Sequence, residues 1–290
     1  MCLMTHLAVV GMVLAPMLFA VPGPSNEVVL LAAGDIASCA SRGDEATGRL
    51  LDQLDGTIAG LGDYAYPNGS ARDYRRCFEP SWGRFKARIR PAAGNHEYRQ
   101  RGAKVYFDYF GAAAGDPRTG YYSYNLRSWH IVVLNSNCRI VACAAGSAQE
   151  RWLRADLAAN GGACTLAYWH HPLFTSGANH GSATETRPLF QALYDAGAEV
   201  VLAGHNHNYE RFAPQTPAGA LDTARGIRQF VVGTGGGSHY GFRRAKRNSE
   251  VRDKTAYGIL KLTLRADAYD WRFVPVAGKS FTDAGTAKCH

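Results

Sequence analysis

Short apolar runs rich in Val, Ile and Leu recur along the chain, at Val28 to Ala33, Thr57 to Leu61, Ile131 to Leu134, Thr165 to Trp169, Val200 to Ala203 and Phe230 to Val232. They are continuous rather than alternating, the pattern of strands buried on both faces. Helical spacing runs from Ser147 to about Ala159, where Trp152, Leu153 and Leu157 make an apolar stripe and Ser147 with Glu150 has the spacing of a capping box. Glu45 to Leu54 and Pro188 to Ala196 read the same way. Strands alternating with helices predict an α/β layered core. The later strands, Phe230 to Val232, Gly258 to Leu264 and Tyr269 to Val274, follow one another without helices, so antiparallel pairing and a mixed sheet are expected. No internal repeat, low-complexity tract or linker divides the chain.

The first residues change the picture. Leu7 to Val21 is almost wholly apolar and the first charged side chain is Glu27. That is the length of a signal-peptide core and short for a membrane span. We therefore expect a signal peptide over residues 1–24, one domain over 25–290, and a secreted or cell-envelope location. The start has no Lys or Arg, and cleavage after Ala20 or within Val21 to Ser25 is left open; a retained amphipathic anchor is the alternative. No later run is long and apolar enough to span a bilayer.

Cysteine usage fits an oxidising compartment. With Cys2 in the leader, Cys39, Cys77, Cys138, Cys143, Cys164 and Cys289 form an even set of six, which allows about 15 pairings. Cys138 with Cys143 across a short loop is the first choice. For the other four the sequence does not fix the pairing; Cys39 with Cys77 and Cys164 with Cys289 is the expected arrangement. None has CxxC spacing, so they read as staples rather than metal ligands.

The formal net charge is +8, which suits an anionic substrate or surface. The densest basic run, Arg243-Arg244-Ala245-Lys246-Arg247, follows the Gly-rich Gly233 to Gly241. It reads as a solvated loop, or as a funnel for anions toward a nearby site. No interleaved aromatics accompany it, so nucleic acid is not expected as a partner.

Five polar clusters each follow an apolar run: Gly34-Asp35, Gly62-Asp63-Tyr64-Ala65-Tyr66, Gly94-Asn95-His96-Glu97, His170-His171-Pro172 and Gly204-His205-Asn206-His207. In α/β folds ligands collect where strands end. Carboxylates, an amide, a phenol and imidazoles form a mixed oxygen and nitrogen donor set, suited to iron, manganese or zinc. Each residue also has a plainer reading. Asp35 and Asp63 can cap helices or form turns, Tyr66 can be a packing aromatic with Tyr64 as its rival, Asn95 can be a turn residue and His180 a solvated loop histidine. The Gly233 to Gly237 run lacks P-loop spacing and its lysine, and reads as a strand-end turn near the cleft.

Taken in order, the clusters resemble the calcineurin-like metallophosphoesterases and, more narrowly, the purple acid phosphatases in a small, bacterial-type form with the catalytic domain alone. Their signature runs GD, GDxxY, GNH(E/D), a histidine before a loop, and GHxH. Ala37 stands where many metallophosphoesterases have a histidine; the purple acid phosphatase pattern lacks it too and uses the tyrosine that corresponds to Tyr66. Tyr209-Glu210-Arg211 after the last histidine is also similar to that group. The resemblance implies a four-layer α/β/β/α sandwich with two mixed β-sheets. It implies one metal held by Asp35, Asp63, Tyr66 and His207, another by Asp63, Asn95, His170 and His205, and Asp63 as the bridge. The first set is harder and more anionic and suits iron(III); the second suits divalent zinc, iron or manganese. His96 and His180 are the implied substrate-contacting and proton-donating residues, and His171, facing the cleft or the core, is counted with them; Glu97 orients its neighbours.

The implied function is hydrolysis of phosphate monoesters, with a metal-bound hydroxide attacking phosphorus in line. A phosphodiesterase or nuclease with the same centre is the alternative, and a non-catalytic metal- or phosphate-binding module is the alternative of another class. Plant-type relatives add an N-terminal β-domain, which this chain is expected to lack. Oligomeric state, natural substrate and pH optimum carry no motif.

Overall fold

Residues apolar on both faces of a strand need a layer on each side, and the chain meets that need with two stacked sheets. The computed structural model describes residues 1–2 and 27–290, so the expected leader lies outside the described residues beyond its first two. The first sheet runs in the order β13 (Ala284–Lys288), β12 (Ala268–Pro275), β11 (Gly258–Leu264), β1 (Val28–Ala33), β2 (Thr57–Gly60) and β3 (Ile89–Pro91). The second runs β10 (Ser249–Asp253), β8 (Tyr209–Phe212), β9 (Arg228–Val232), β7 (Val200–Ala203), β6 (Cys164–Tyr168), β5 (Trp129–Val133) and β4 (Tyr122–Leu126). Both are mixed, as expected. Strands β1, β2 and β3 are parallel while β11, β12 and β13 pair antiparallel, and β5, β6, β7 and β9 are parallel with antiparallel β4, β8 and β10 at the flanks.

Period-2 alternation sorts the second sheet's side chains between two cores. Ile131 and Val133, Leu166 and Tyr168, and Val200 and Leu202 join the main core that they share with Leu30, Ile58 and Leu260 of the first sheet. Their neighbours Val132, Ala167, Trp169 and Val201 face the other way and pack with Leu153, Leu157, Phe190 and Leu193. Those last residues belong to helices α4 (Ala148–Ala159) and α5 (Arg187–Asp195). On the first sheet's side lies α1 (Gly43–Leu51), while α2 (Ala71–Asp73) falls between β2 and β3 in sequence and α3 (Lys104–Phe110) between β3 and β4. The result is the expected mixed α/β architecture, two mixed sheets flanked by helices.

Two details differ from the sequence reading. The capping box at α4 is only half formed: Ser147 accepts the Glu150 N–H at 3.2 Å, but Glu150 reaches one residue further back and accepts the Gly146 N–H at 3.0 Å. Strands β4, β8, β10 and β13 add partners that the apolar pattern did not announce. The three disulfides are Cys39–Cys77, Cys138–Cys143 and Cys164–Cys289, the expected pairing, with Cys2 free. The last closes a separation of 125 residues and ties the C-terminus to β6; a cross-link of this kind contributes about 2–4 kcal/mol.

Beside that bridge lies a buried acid. Glu199 accepts the Thr165 N–H at 2.5 Å, with His290 Nδ1 at 3.7 Å, and burial pushes its carboxyl up to about 7. A raised carboxyl pKa means that the folded state holds the proton more tightly than the unfolded chain. The associated stability is fully present below the ordinary value of 4.5 and is lost as pH rises through about 7. Glu199→Gln removes this dependence. Melting curves at several pH values should show the variant gaining on the wild type by about 1–3 kcal/mol between about pH 5 and about pH 8; a difference that does not move with pH refutes the assignment.

Candidate metal centre

The five polar clusters meet at one end of both sheets. Asp35 follows β1, Asp63 and Tyr66 follow β2, Asn95 and His96 follow β3, His170 follows β6, and His205 and His207 follow β7. Strands β1, β2 and β3 are parallel to one another, as are β6 and β7, so within each sheet their C-terminal ends and the loops that leave them lie on the same side. The loops enclose a cleft of about 390 Å³ to which Asp63, Tyr66, Asn95, His96, His205 and His207 all contribute.

Donor atoms crowd within it. Tyr66 Oη lies 3.0 Å from Asp35 Oδ1, 3.2 Å from Asp63 Oδ2 and 3.0 Å from His207 Nε2. His207 Nε2 is 3.3 Å from Asp35 Oδ1. On the other side His170 Nε2 is 3.3 Å from Asp63 Oδ2, 3.2 Å from Asn95 Oδ1 and 3.2 Å from His205 Nδ1. The two groupings are the two expected sets, and both include Asp63 Oδ2.

The second nitrogens of two histidines decide what such crowding means. His170 Nδ1 lies 2.7 Å from the Leu61 carbonyl, and His207 Nδ1 lies 2.7 Å from the Ser238 carbonyl. A carbonyl oxygen only accepts, so each Nδ1 carries a hydrogen and Nε2 is the nitrogen turned into the cleft, free to bind a cation whenever the ring is neutral. There Nε2 faces carboxylate, amide and imidazole acceptors, and on His207 the Tyr66 hydroxyl as well. So many acceptors in one place favour positive charge among them, whether a ring proton or a metal ion. The spacing agrees: at metal–donor distances of about 2.1 Å, neighbouring donors on one cation stand about 3 Å apart. The residues present therefore fit a pair of metal ions.

Electrostatics point the same way. Asp35 and Asp63 are buried, and among the described residues no Lys or Arg pairs with either. Burial opposes charge on His170, but Asp63 beside it outweighs this and pushes the imidazole up to about 9. His207 is also raised, burial being outweighed chiefly by Asp35. His205 moves down, desolvated and surrounded by other histidines, and His171 falls to about 3 for the same reasons. Burial, then Asp35 and Asp63, hold the Tyr66 phenol well above its usual range, so only a strongly polarising cation would ionise it.

Comparison with known proteins agrees with this geometry. Residues 18–209 match the family model described as calcineurin-like phosphoesterase. The chain belongs to the calcineurin-like phosphoesterase family. Purple acid phosphatase 15 of Arabidopsis thaliana is 28% identical over 187 residues, covering 52% of this chain and 35% of that one. An uncharacterised Mycobacterium tuberculosis protein is 27% identical over 186 residues, again 35% of its length. The matches thus span about a third of these curated relatives. Among solved structures, purple acid phosphatase PPD1 from yellow lupin seeds superposes with a TM-score of 0.73 at 18% identity, over 92% of this chain and 54% of that one. GAP50, described as the anchor in the inner membrane complex of Plasmodium, gives 0.68 at 12% identity, over 89% and 88%. These structures share the fold.

Within this calcineurin-like phosphoesterase the plainer readings of the polar residues can be set against their surroundings. Asp35 caps no helix, since Arg42 precedes α1, and Ser70 rather than Asp63 caps α2. Tyr64 is buried among Phe78, Tyr106 and Phe110 and is the packing aromatic of the GDxxY motif. His96 lies in the cleft against Tyr66, its Nε2 3.8 Å from Asp63 Oδ2. His180 is stacked on the His205 ring at 4.0 Å. His171 stands one step aside: its Nδ1 is 2.8 Å from Ser136 Oγ and it lines an adjoining cavity rather than the cleft itself.

The short loops of the cleft are held by backbone constraint. Asp35, Asp63 and His205 all have positive φ, 59°, 56° and 70°, where a side chain costs about 1–3 kcal/mol. Asp35 Oδ2 accepts the His205 N–H at 2.7 Å and Asp63 Oδ1 accepts the His96 N–H at 2.8 Å, so each aspartate also braces another cluster. Glu97 accepts three backbone N–H groups, from Asp63, Tyr64 and Gly94, at 2.8–2.9 Å. Gly94 is obligatory for space, because a Cβ there would stand 2.2 Å from Asp63 Oδ1.

Sequence reasoning missed two supports. The Gly-rich turn delivers the Ser238 carbonyl and the Tyr240 ring, which stacks on His207 at 3.9 Å. Glu210 is buried and accepts the Ser176 N–H and the Ser176 and Ser249 hydroxyls, fastening the loop that carries His180 to β8. The motif Tyr209-Glu210-Arg211 was the available signal, but it did not say what Glu210 holds. Glu210→Ala leaves those donors unpaired and should lower stability by about 1–3 kcal/mol in urea denaturation. Amide exchange should accelerate over residues 174–182 while β6 stays protected; uniform acceleration across both would refute the anchoring role.

Proposed function

We propose that this chain is an exported, purple acid phosphatase-like hydrolase of phosphate monoesters that works with two metal ions. The observation that carries the reading is the pair of Nε2 atoms, on His170 and His207, fixed by backbone carbonyls and aimed at buried carboxylates that, among the described residues, no Lys or Arg neutralises. Asp35, Asp63, Tyr66 and His207 would hold one ion, and Asp63, Asn95, His170 and His205 the other. The harder first set favours iron(III), the second a divalent zinc, iron or manganese.

When bound, such a pair supplies Lewis-acid stabilisation of the phosphoryl oxygens and an activated water for in-line displacement. The protein's own part is to place the ester and handle the leaving-group proton. His96 and His180 stand on opposite sides of the cleft, one against Tyr66 and the other on His205. Both are placed to hydrogen-bond a phosphate, and either can protonate the departing oxygen. Desolvation, the largest influence on His180, lowers its pKa and suits it to give a proton up. His171, bound to Ser136, acts by holding the wall beside His170. The basic run follows directly on the loop pairing that joins Ala178 to Gly241 and Arg243 to Ser176, next to His180. Its exposed side chains support attraction of anions to the cleft. An oxidising, exported setting is supported by the three disulfides.

Protein purified without added ions should contain two metal ions per chain, hydrolyse phenyl phosphate faster than its diphenyl diester, and show a tyrosinate-to-iron(III) band absent from Tyr66→Phe. Asp63→Ala should lose both ions, while His205→Ala and His207→Ala should each lose a different one, with kcat falling at least about 100-fold. A faster diester would turn the reading to a phosphodiesterase. A fully loaded protein that cleaves neither would leave a binding module.

A further inference from the structure

The cleft does not end at its donor atoms. Past Tyr66 and Pro67 it opens into a larger cavity of about 690 Å³, and Ser38, Tyr66 and Pro67 line both spaces. The outer wall is the segment from Ser70 to Cys77. It is a firm wall: Ser70 and Asp73 form a reciprocal capping box, and Cys77 is bonded to Cys39.

From this wall Arg72 and Arg76 line the cavity. Both are exposed, and among the described residues neither side chain has a hydrogen bond or a carboxylate partner. Some arginines are already engaged, Arg84 with Asp52, Arg118 with Asp116 and Arg265 with Asp270. Arg72 and Arg76 share their freedom with other exposed arginines such as Arg42 and Arg101, and differ from these in lining a cavity that joins the cleft. Asp73 also lines the cavity, but its Oδ2 already accepts the N–H groups of Asn68 and Ser70. Two unpaired guanidinium forks beside the donor cleft match a second anionic group. The opposite flank is smaller, about 370 Å³, and is lined by Arg99, Arg139 and Glu185; there Arg99 already donates to the Pro67 carbonyl.

Resting on the phosphatase reading, we propose that the Arg72–Arg76 cavity is a second-anion subsite and that the preferred substrates are bisphosphates. One phosphate sits in the metal cleft and the other on Arg72 and Arg76. Hydrolysis breaks one P–O ester bond, adds the hydroxyl of water to phosphorus and its proton to the leaving oxygen. The products are inorganic phosphate and a monophosphorylated alcohol, whose remaining phosphate still faces the arginines.

The test compares short alkanediol bisphosphates with the matching alkyl monophosphates. On the wild type the best bisphosphate should have a KM about tenfold lower. Arg72→Ala/Arg76→Ala should abolish that advantage with kcat and the monophosphate KM unchanged, and Arg72→Lys/Arg76→Lys should restore part of it. Equal KM values on the wild type, or an equal rise for both substrates in the double alanine variant, overturns the subsite. Calorimetric titration with alkane bisphosphonates and monophosphonates tests it without turnover. A bisphosphonate preference lost in the double alanine variant sustains the subsite even if no ester is cleaved, which would sink the phosphatase reading alone. No preference in either assay overturns the subsite.

Discussion

Two carboxylates are buried at the end of the sheets with no arginine or lysine to balance them, and much of the local structure follows from keeping them there. An unpaired buried carboxylate is strongly unfavourable, and it persists only where hydrogen bonds or counter-charges converge on it. The fold supplies the hydrogen bonds from backbone: His205 N–H to Asp35 and His96 N–H to Asp63. The remaining counter-charge falls to the raised imidazoles of His170 and His207 or to a bound cation. The left-handed backbone at Asp35, Asp63 and His205 is the local consequence, since these loops must double back to aim N–H groups and side chains into one small volume.

The supports form a hierarchy. Leu61 and Ser238 carbonyls fix which nitrogen of His170 and His207 faces inward. Behind them, Glu97 knits the Asp63 and Asn95 loops together through three N–H groups, and Glu210 fastens the His180 loop. Neither glutamate touches the cleft centre, yet each sets the separation between groups that do. Orientation by such partners is as much a part of a metal centre as the donors themselves.

The chemistry was legible in the sequence because each donor directly follows an apolar strand, and strand ends are where parallel sheets gather their ligands. The central strands were legible because burial on both faces leaves an unbroken apolar run. Flank strands were not. Tyr209-Glu210-Arg211-Phe212 carries two charges because one is bonded inward to Ser176 and the other pairs with Asp283. Ala284 to Lys288 is mostly small residues at a sheet edge, where little packing specifies the strand. Ser238 and Tyr240 were unreadable for a different reason. Their role depends on where a glycine-rich turn returns in space, and no local pattern encodes that. The pairing of Cys164 with Cys289 likewise depends on the C-terminus returning to β6.

The two donor sets draw on both sheets: Asp35, Asp63, Tyr66 and Asn95 come from the loops of one, His170, His205 and His207 from those of the other. The cleft is therefore a calliper whose jaws are separate layers, with the aromatic and aliphatic core as its spacer. Protein interiors are close-packed and transmit small displacements rather than absorbing them. A change of side-chain volume at Leu30 or Phe230, both in that shared core, then acts on the gap between the jaws as well as on the stability of the fold. Inter-sheet packing thus sets the working dimension of the site, and residues with no chemistry of their own become part of its tuning.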